Sequence, residues 1–182
     1  EQTLMTLTRL DHEIVAVLTQ PDRQSGRGLK KTKNPIKKMA QKLDLPVLEY
    51  ESLTNPQAYK TIKKLAPDLL LTMAYGEYVP NKILGIPHYE AINIHPSLLP
   101  QWRGASPIQS AILNGDKKTG VCLVRMVNEV DAGPIFAFYE TDIGEHETSG
   151  LLSNRLAELS AKLVKNKLDD ILNNCLLYTS DA

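Results

Sequence analysis

The segment PDLLLTMAYGEYVPNKILGIPHYEAINIHPSLLP (67–100) carries the decision about the fold. It holds two apolar runs, DLLLTMA (68–74) and AINI (91–94), with a short helical stretch at 80–84 between them. A nearly continuous apolar run without alternation is the mark of a strand covered on both faces, so both runs are expected to be buried strands. Working outward, strand and helix signals alternate. Asn34-Pro35 and Asn55-Pro56 each place a capping amide before a proline at the first helical position, opening helices to about Leu43 and Leu65. Residues 46–49 read as a short strand between them, and EIVAVLT (13–19) as a buried strand before them. On the other side, 107–113 is helical, and 121–127 and 135–143 are two further strands. Thr148 caps a helix running through Leu172, with Leu152, Leu156, Leu159, Leu163 and Leu168 on its apolar positions. Leu4, Met5, Leu7 and Leu10 are spaced like a helix face. The alternation predicts an α/β fold, a mostly parallel sheet with helices on both faces.

The composition agrees. A chain of 182 residues can bury a real core in one domain, and 42% hydrophobic with 23% charged residues is a soluble globular balance. No run approaches the roughly 20 apolar residues of a membrane span. Two distant cysteines, Cys122 and Cys175, exclude a disulfide framework or a Cys-cluster zinc site and fit a reducing cytoplasm. The opening EQTLMTLTRL has neither a basic start nor a long apolar run, so no secretory leader is expected there. Both ends read as interrupted. A parallel α/β domain ordinarily begins with a strand, and this chain begins on a helical pattern, so its first strand is expected to be missing. CLLYTSDA (175–182) resembles the translation of a sequencing-library adapter and is expected to be a non-native tail.

The net charge of zero hides an asymmetry. DRQSGRGLKKTKNPIKK (22–38) carries seven basic residues and one acid, which suggests local contact with a polyanion. Seven cations in so short a stretch also predict that 20–33 is exposed and irregular.

Ligands of such sheets bind beyond the carboxyl ends of the strands, here 20–33, 74–79, 95–106 and 128–134. Asn93 and His95 sit two apart at a strand end, so both face the same side, while Ile92 and Ile94 face the core. An amide can donate to an oxygen gaining charge, and an imidazole can do so or move a proton. Asp131 lies in VDAGPI (130–135), where a carboxylate could orient His95. Singly, each residue has an ordinary explanation: a bonded strand end, and an Asx turn. His12, His88 and His146 read as surface or turn residues, Cys122 as core, and Trp102 as loop packing. No Gly-rich phosphate loop and no metal-ligand spacing occurs.

Together these motifs resemble the methionyl-tRNA formyltransferase family. TQPDRQSGRGLKK (19–31), AYG (74–76), INIHPSLLPQWRGASPIQ (92–109) and VDAGPI (130–135) stand in that family's order and spacing, and the resemblance covers residues 1 to about 174. It implies a Rossmann-like formyltransferase catalytic domain over 1–174, without the family's opening strand and without its C-terminal β-barrel. It implies formyl transfer from the co-substrate 10-formyltetrahydrofolate to the α-amine of initiator methionyl-tRNA, with no metal, by a cytoplasmic monomer (bacterial cytosol or organelle matrix). Asn93, His95 and Asp131 match the family's catalytic trio. Ser97, Leu98, Leu99 and Pro100 match its folate-binding segment. Arg27 matches a loop arginine that engages the tRNA acceptor end, with Lys30 and Lys31 along the backbone. Two other readings stand beside it: another formyl-folate enzyme, either a transferase to a small amine or a hydrolase, and a non-catalytic RNA-binding fragment.

Overall fold

The structure, a computed structural model, describes residues 1–25, 30–32 and 34–173. Arg27, Cys175 and the tail beyond it lie outside the described residues.

The first half of the chain builds α1 (Gln2–Leu7), β1 (Val17–Thr19), β2 (Arg23–Ser25), β3 (Lys30–Thr32), α2 (Pro35–Lys42), β4 (Val47–Glu49), α3 (Pro56–Leu65) and β5 (Leu69–Thr72). The second half builds α4 (Asn81–Leu84), β6 (Glu90–His95), α5 (Pro107–Leu113), β7 (Lys118–Arg125), β8 (Ile135–Asp142) and α6 (Ser149–Leu172). The helix starts follow from local chemistry. Asn34 and Asn55 each accept a backbone N–H through the side chain, from Ile36 and Gln57, ahead of a proline. Thr148 does the same for Leu151 at the start of α6. These satisfy donors that a helix cannot satisfy internally.

β1 pairs parallel with β4, and β5 pairs parallel with β6. β6, β7 and β8 then join antiparallel, completing the order β5-β6-β7-β8. The expected α/β fold is thus present, with parallel pairing at β1–β4 and β5–β6 and antiparallel pairing in the rest of the main sheet. The β7–β8 link, residues 126–134, holds no helix, and a parallel return needs a longer crossover.

Of the expected strand 13–19, the last three residues are ladder-bonded, because β4 offers only three partners. β1 and β5 lie in different sheets and share no ladder. Leu18 and Leu70 instead pack in one apolar cluster around Leu53, Ala58, Ile62, Val79 and Ile83. Among the described residues no strand pairs with the second edge of β5, and β5 is half-buried throughout rather than covered on both faces. The main core lies between the four-stranded sheet and α6. Ile92, Ile94, Val121, Leu123 and Phe136 meet Leu152, Leu156, Leu163, Val164 and Leu168 there.

The basic segment corrects the sequence reading. Residues 23–25 and 30–32 are not irregular but form an antiparallel ribbon, with Arg23 opposite Thr32 and Ser25 opposite Lys30. Backbone pairing gives a charged stretch regular structure without any need to pack its side chains together. No helix among the described residues is long and apolar enough to cross a membrane.

Candidate active site

Strand β6 places the first two site residues. Ile92 and Ile94 are buried in the main core, which turns Asn93 and His95 to the opposite face. The parallel register sets Thr72 beside Asn93, and the Thr72 hydroxyl lies 2.9 Å from Asn93 Oδ1. A hydroxyl facing that oxygen donates to it, so the Asn93 amide nitrogen turns the other way. It donates to Asp131 Oδ1 at 2.9 Å. An amide nitrogen carries two hydrogens, and the second finds no acceptor among the described residues.

Asp131 arrives on the loop between β7 and β8. Met126 N–H donates to the Ala91 carbonyl at 2.8 Å, and Arg125 N–H to the Pro134 carbonyl at 2.9 Å, lashing both ends of this loop to the sheet. Gly133 is required there: a Cβ at that position would overlap the Arg125 carbonyl. Asp131 itself has φ +51°, a conformation that aspartate tolerates better than most residues. Its second oxygen accepts from Gly104 N–H at 3.0 Å and lies 3.2 Å from His95 Nδ1. The side chains of His95 and Asp131 are 3% and 8% exposed.

The other ring nitrogen of His95, Nε2, is 2.9 Å from the Trp102 carbonyl. A carbonyl only accepts, so Nε2 donates. Nδ1, on the other side of the ring, faces the Asp131 carboxylate. Trp102 is held in place by its indole N–H, which donates to Asp116 at 2.7 Å, and by a backbone φ of +59°. Trp102 is therefore a structural part of the loop, as expected, and its carbonyl is a partner of His95.

The structure brings Asn93, His95 and Asp131 into one hydrogen-bonded cluster. The SLLP segment is placed differently. Ser97 is fully buried, its hydroxyl donated to the Gln101 carbonyl at 2.5 Å, so its side chain does not face the crevice. Leu98 is half-buried and packs on Gly120 of β7. Leu99 is half-buried and Pro100 exposed, joined by a cis peptide bond. Lys30 and Lys31 lie on β3. Sequence reading missed Thr72 and Gly104. Thr72 had a signal, as the one hydroxyl in an apolar run; a backbone N–H at Gly104 and a carbonyl at Trp102 had none.

Met73, Tyr78, Val127 and Val130 are exposed on the two segments flanking the cluster, and the Tyr78 hydroxyl ties those segments together through Asn128 Oδ1 at 3.4 Å. Cys122 is not a nucleophile. It is 1% exposed, and burial pushes its thiol up to about 11, opposed only in part by a hydrogen bond with the Leu99 backbone.

The fold and the site stand in a chain that belongs to the formyl transferase family, whose model matches residues 2–168. It is 44% identical over 171 residues, 93% of its length, to the methionyl-tRNA formyltransferase of Sulfurihydrogenibium sp., of which it covers 55%. It is 46% identical over 157 residues, 86% of its length, to the enzyme of the same description from Xanthomonas campestris pv. campestris, covering 51%. The chain spans about half the length of the curated relatives it matches. Phosphoribosylglycinamide formyltransferase from Bacillus halodurans shares the fold, with TM-score 0.79, 23% identity, and coverage of 94% of this chain and 88% of that one. A formyltetrahydrofolate deformylase from Pseudomonas syringae does too, with TM-score 0.79, 19% identity, and coverage of 99% and 60%.

Proposed function

We propose that residues 1–174 are catalytic-domain sequence of an enzyme that moves a formyl group from 10-formyltetrahydrofolate to the α-amine of methionyl initiator tRNA. The observation that carries this reading is the convergence of Asn93, His95 and Asp131 at one strand end. The relatives at 44% and 46% identity support the choice of acceptor. The setting proposed is the cytosol of a bacterium or an organelle matrix, with the enzyme acting as a monomer.

The neutral amine attacks the formyl carbon and forms a C–N bond. The carbonyl oxygen takes up the electron pair as an oxyanion, and then the bond from carbon to the folate nitrogen breaks. Asn93 donates the second hydrogen of its amide nitrogen to the oxyanion. His95 reaches the same oxygen by exchanging its Trp102 carbonyl partner for it. Removing one such donor typically costs about 2.7–4 kcal/mol. The proton lost by the amine passes to the folate nitrogen through a water on Asp131. That carboxylate accepts two hydrogen bonds and contacts His95 Nδ1, and an ionised carboxylate has roughly four acceptor sites. The acceptor amine, with a pKa of about 7.7–8.0, is readily deprotonated near neutral pH. Leu98, Leu99 and Pro100 are proposed to border the folate, and the exposed rim at Tyr78, Val127 and Val130 to take its ring. Ser97 is proposed to hold the SLLP turn rather than to touch ligand. Arg27, Lys30 and Lys31 are proposed to hold the acceptor end of the tRNA, through phosphate contacts that position without reading sequence.

The test offers the full-length protein labelled formyl donor with three acceptors in parallel: methionyl initiator tRNA, free methionine and water alone. Label should pass to the tRNA. Label on free methionine, or formate released at equal rate without tRNA, would refute the reading.

A further inference from the structure

The basic segment is held at its root by a set of side chains outside the cluster described above. Thr19, the last residue of β1, accepts from Asn34 Nδ2 at 2.7 Å, which ties together the two ends of residues 20–33. Asp22 accepts from Asn34 N–H at 3.1 Å through one oxygen and from Lys37 Nζ at 3.1 Å through the other. Lys37 also donates to Glu49 at the end of β4, at 2.9 Å. Asn34 meanwhile caps α2 through its own side-chain oxygen. One network therefore joins the exit of β1, the start of α2 and the end of β4.

The charges in this network matter as much as its geometry. Lys37 counts among the seven cations that suggested a polyanion contact, yet its ammonium lies between two carboxylates. Its side chain is 15% exposed and that of Asp22 14%. The hydrogen bond that Lys37 donates to Glu49, and then the one it donates to Asp22, raise the ammonium above its ordinary value, so it stays charged at working pH. Among the described residues, Lys37 lies between two carboxylates, a trio that sums to −1, so its ammonium is already engaged by acids. The neighbouring open cavity adds Glu51 to Glu49 in its lining. Lys38, the next residue, is by contrast exposed.

We infer that Asp22, Lys37 and Glu49 are positioning residues that root the basic segment, and that Lys37 acts on nucleic acid through this root rather than by contact. The inference rests on the tRNA acceptor proposed above. It makes a prediction opposite in sign to simple electrostatics. Removing a negative charge beside a polyanion site ordinarily tightens binding, whereas loosening the root should weaken it.

The experiment measures KM for methionyl initiator tRNA and for the formyl donor in the full-length enzyme, as wild type and as Asp22→Asn, Lys37→Met, the double variant, Glu49→Gln and Lys37→Arg. Asp22→Asn should raise the tRNA KM about tenfold, equivalent to ~1.4 kcal/mol, with donor KM and kcat unchanged. Lys37→Met should do the same, and the double variant should be no worse than either single one, because both break one network. Lys37→Arg should recover most of the loss, and Glu49→Gln, the mildest change, keeps the test open if a double variant fails to fold. Additive losses, or a lower or unchanged tRNA KM in Asp22→Asn, would overturn the inference and leave Lys37 as a direct phosphate contact. A wild-type enzyme inactive with tRNA would instead overturn the functional reading itself, and this inference with it.

Discussion

Asp131→Asn preserves the shape of the site and removes its charge, so it isolates what the carboxylate does. Asp131 accepts from Asn93 Nδ2 at 2.9 Å and Gly104 N–H at 3.0 Å, and faces His95 Nδ1 at 3.2 Å. The Asn93 amide and Gly104 N–H are donors, and an asparagine offers only one acceptor oxygen. If that oxygen keeps Gly104 and His95, its amide nitrogen meets the Asn93 amide nitrogen, donor against donor. A buried donor left unpaired costs about 1–3 kcal/mol, and a hydrogen bond to a neutral acceptor is worth roughly 1 kcal/mol less than one to a charged acceptor. With two surviving bonds weakened, the loss is ~3–5 kcal/mol, shared between stability and the transition state. If some 3–4 kcal/mol of it falls on the transition state, kcat drops about 10²–10³-fold. The donor KM should stay near wild type, since the exposed apolar rim that would take the folate ring is untouched. Initial rates of formyl transfer in the full-length enzyme, with circular dichroism to confirm folding, provide the assay. A folded variant whose kcat stays within about threefold of wild type would refute the role assigned to the carboxylate, because that is under ~0.7 kcal/mol.

Four further outcomes are expected. Gly133→Ala, whose Cβ would overlap the Arg125 carbonyl, should displace the Asp131 loop and lower kcat about 10²-fold, the scale of an ångström-sized misplacement; an unchanged rate would show that the loop absorbs the methyl group. Thr72→Val, which takes the donor from Asn93 Oδ1, should cost about 1–3 kcal/mol and reduce turnover at least fivefold or so, with Thr72→Ser close to wild type. Cys122, with its thiol pushed up to about 11, should resist alkylation at pH 8 in the native protein and react on unfolding, as read by mass spectrometry of its peptide. Glu147 is held below its ordinary value of 4.5 by its hydrogen bond to Arg155, so its stabilising effect is present above pH 4.5 and lost as pH falls through the folded-state value; the melting-temperature gap between wild type and Glu147→Gln should close on acidification below pH 4.5.

What was legible in the sequence divides by range. Helix starts are decided within four residues, and the caps at Asn34, Asn55 and Thr148 stand where their residue types placed them. Strand extents are decided by partners far along the chain, which is why 13–19 shortened to three bonded residues beside a three-residue β4. Direction of pairing is a tertiary property too, and an apolar run such as 121–127 reads the same in either sense. At the site, the period of two separated Asn93 and His95 from Ile92 and Ile94 without any structure. The partner of His95 Nε2 was not legible, because the Trp102 carbonyl is backbone and any residue type supplies one. Nor was the burial of Ser97, whose hydroxyl turns to the Gln101 carbonyl instead of the crevice.

The same strand that carries the chemistry also carries the core, and this separates two functions in space. Ile92 and Ile94 meet α6 on one face of β6, while Asn93 and His95 close the polar cluster on the other. Loosening the α6 core should therefore reach the reacting groups directly, through the strand that holds them. The basic segment hangs instead from β1, α2 and β4, in a second sheet that shares no ladder with the first. The two sheets meet chiefly through side chains such as Leu18 and Leu70, contacts that are non-directional and tolerate small shifts, with one long hydrogen bond from Gln20 Nε2 to the Tyr75 carbonyl at 3.4 Å beside them. Disturbance of the β1–β4 sheet is thus poorly transmitted to Asn93 and His95. It should appear as weakened use of the macromolecular acceptor, while transfer of the formyl group, once both substrates are bound, proceeds at the wild-type rate.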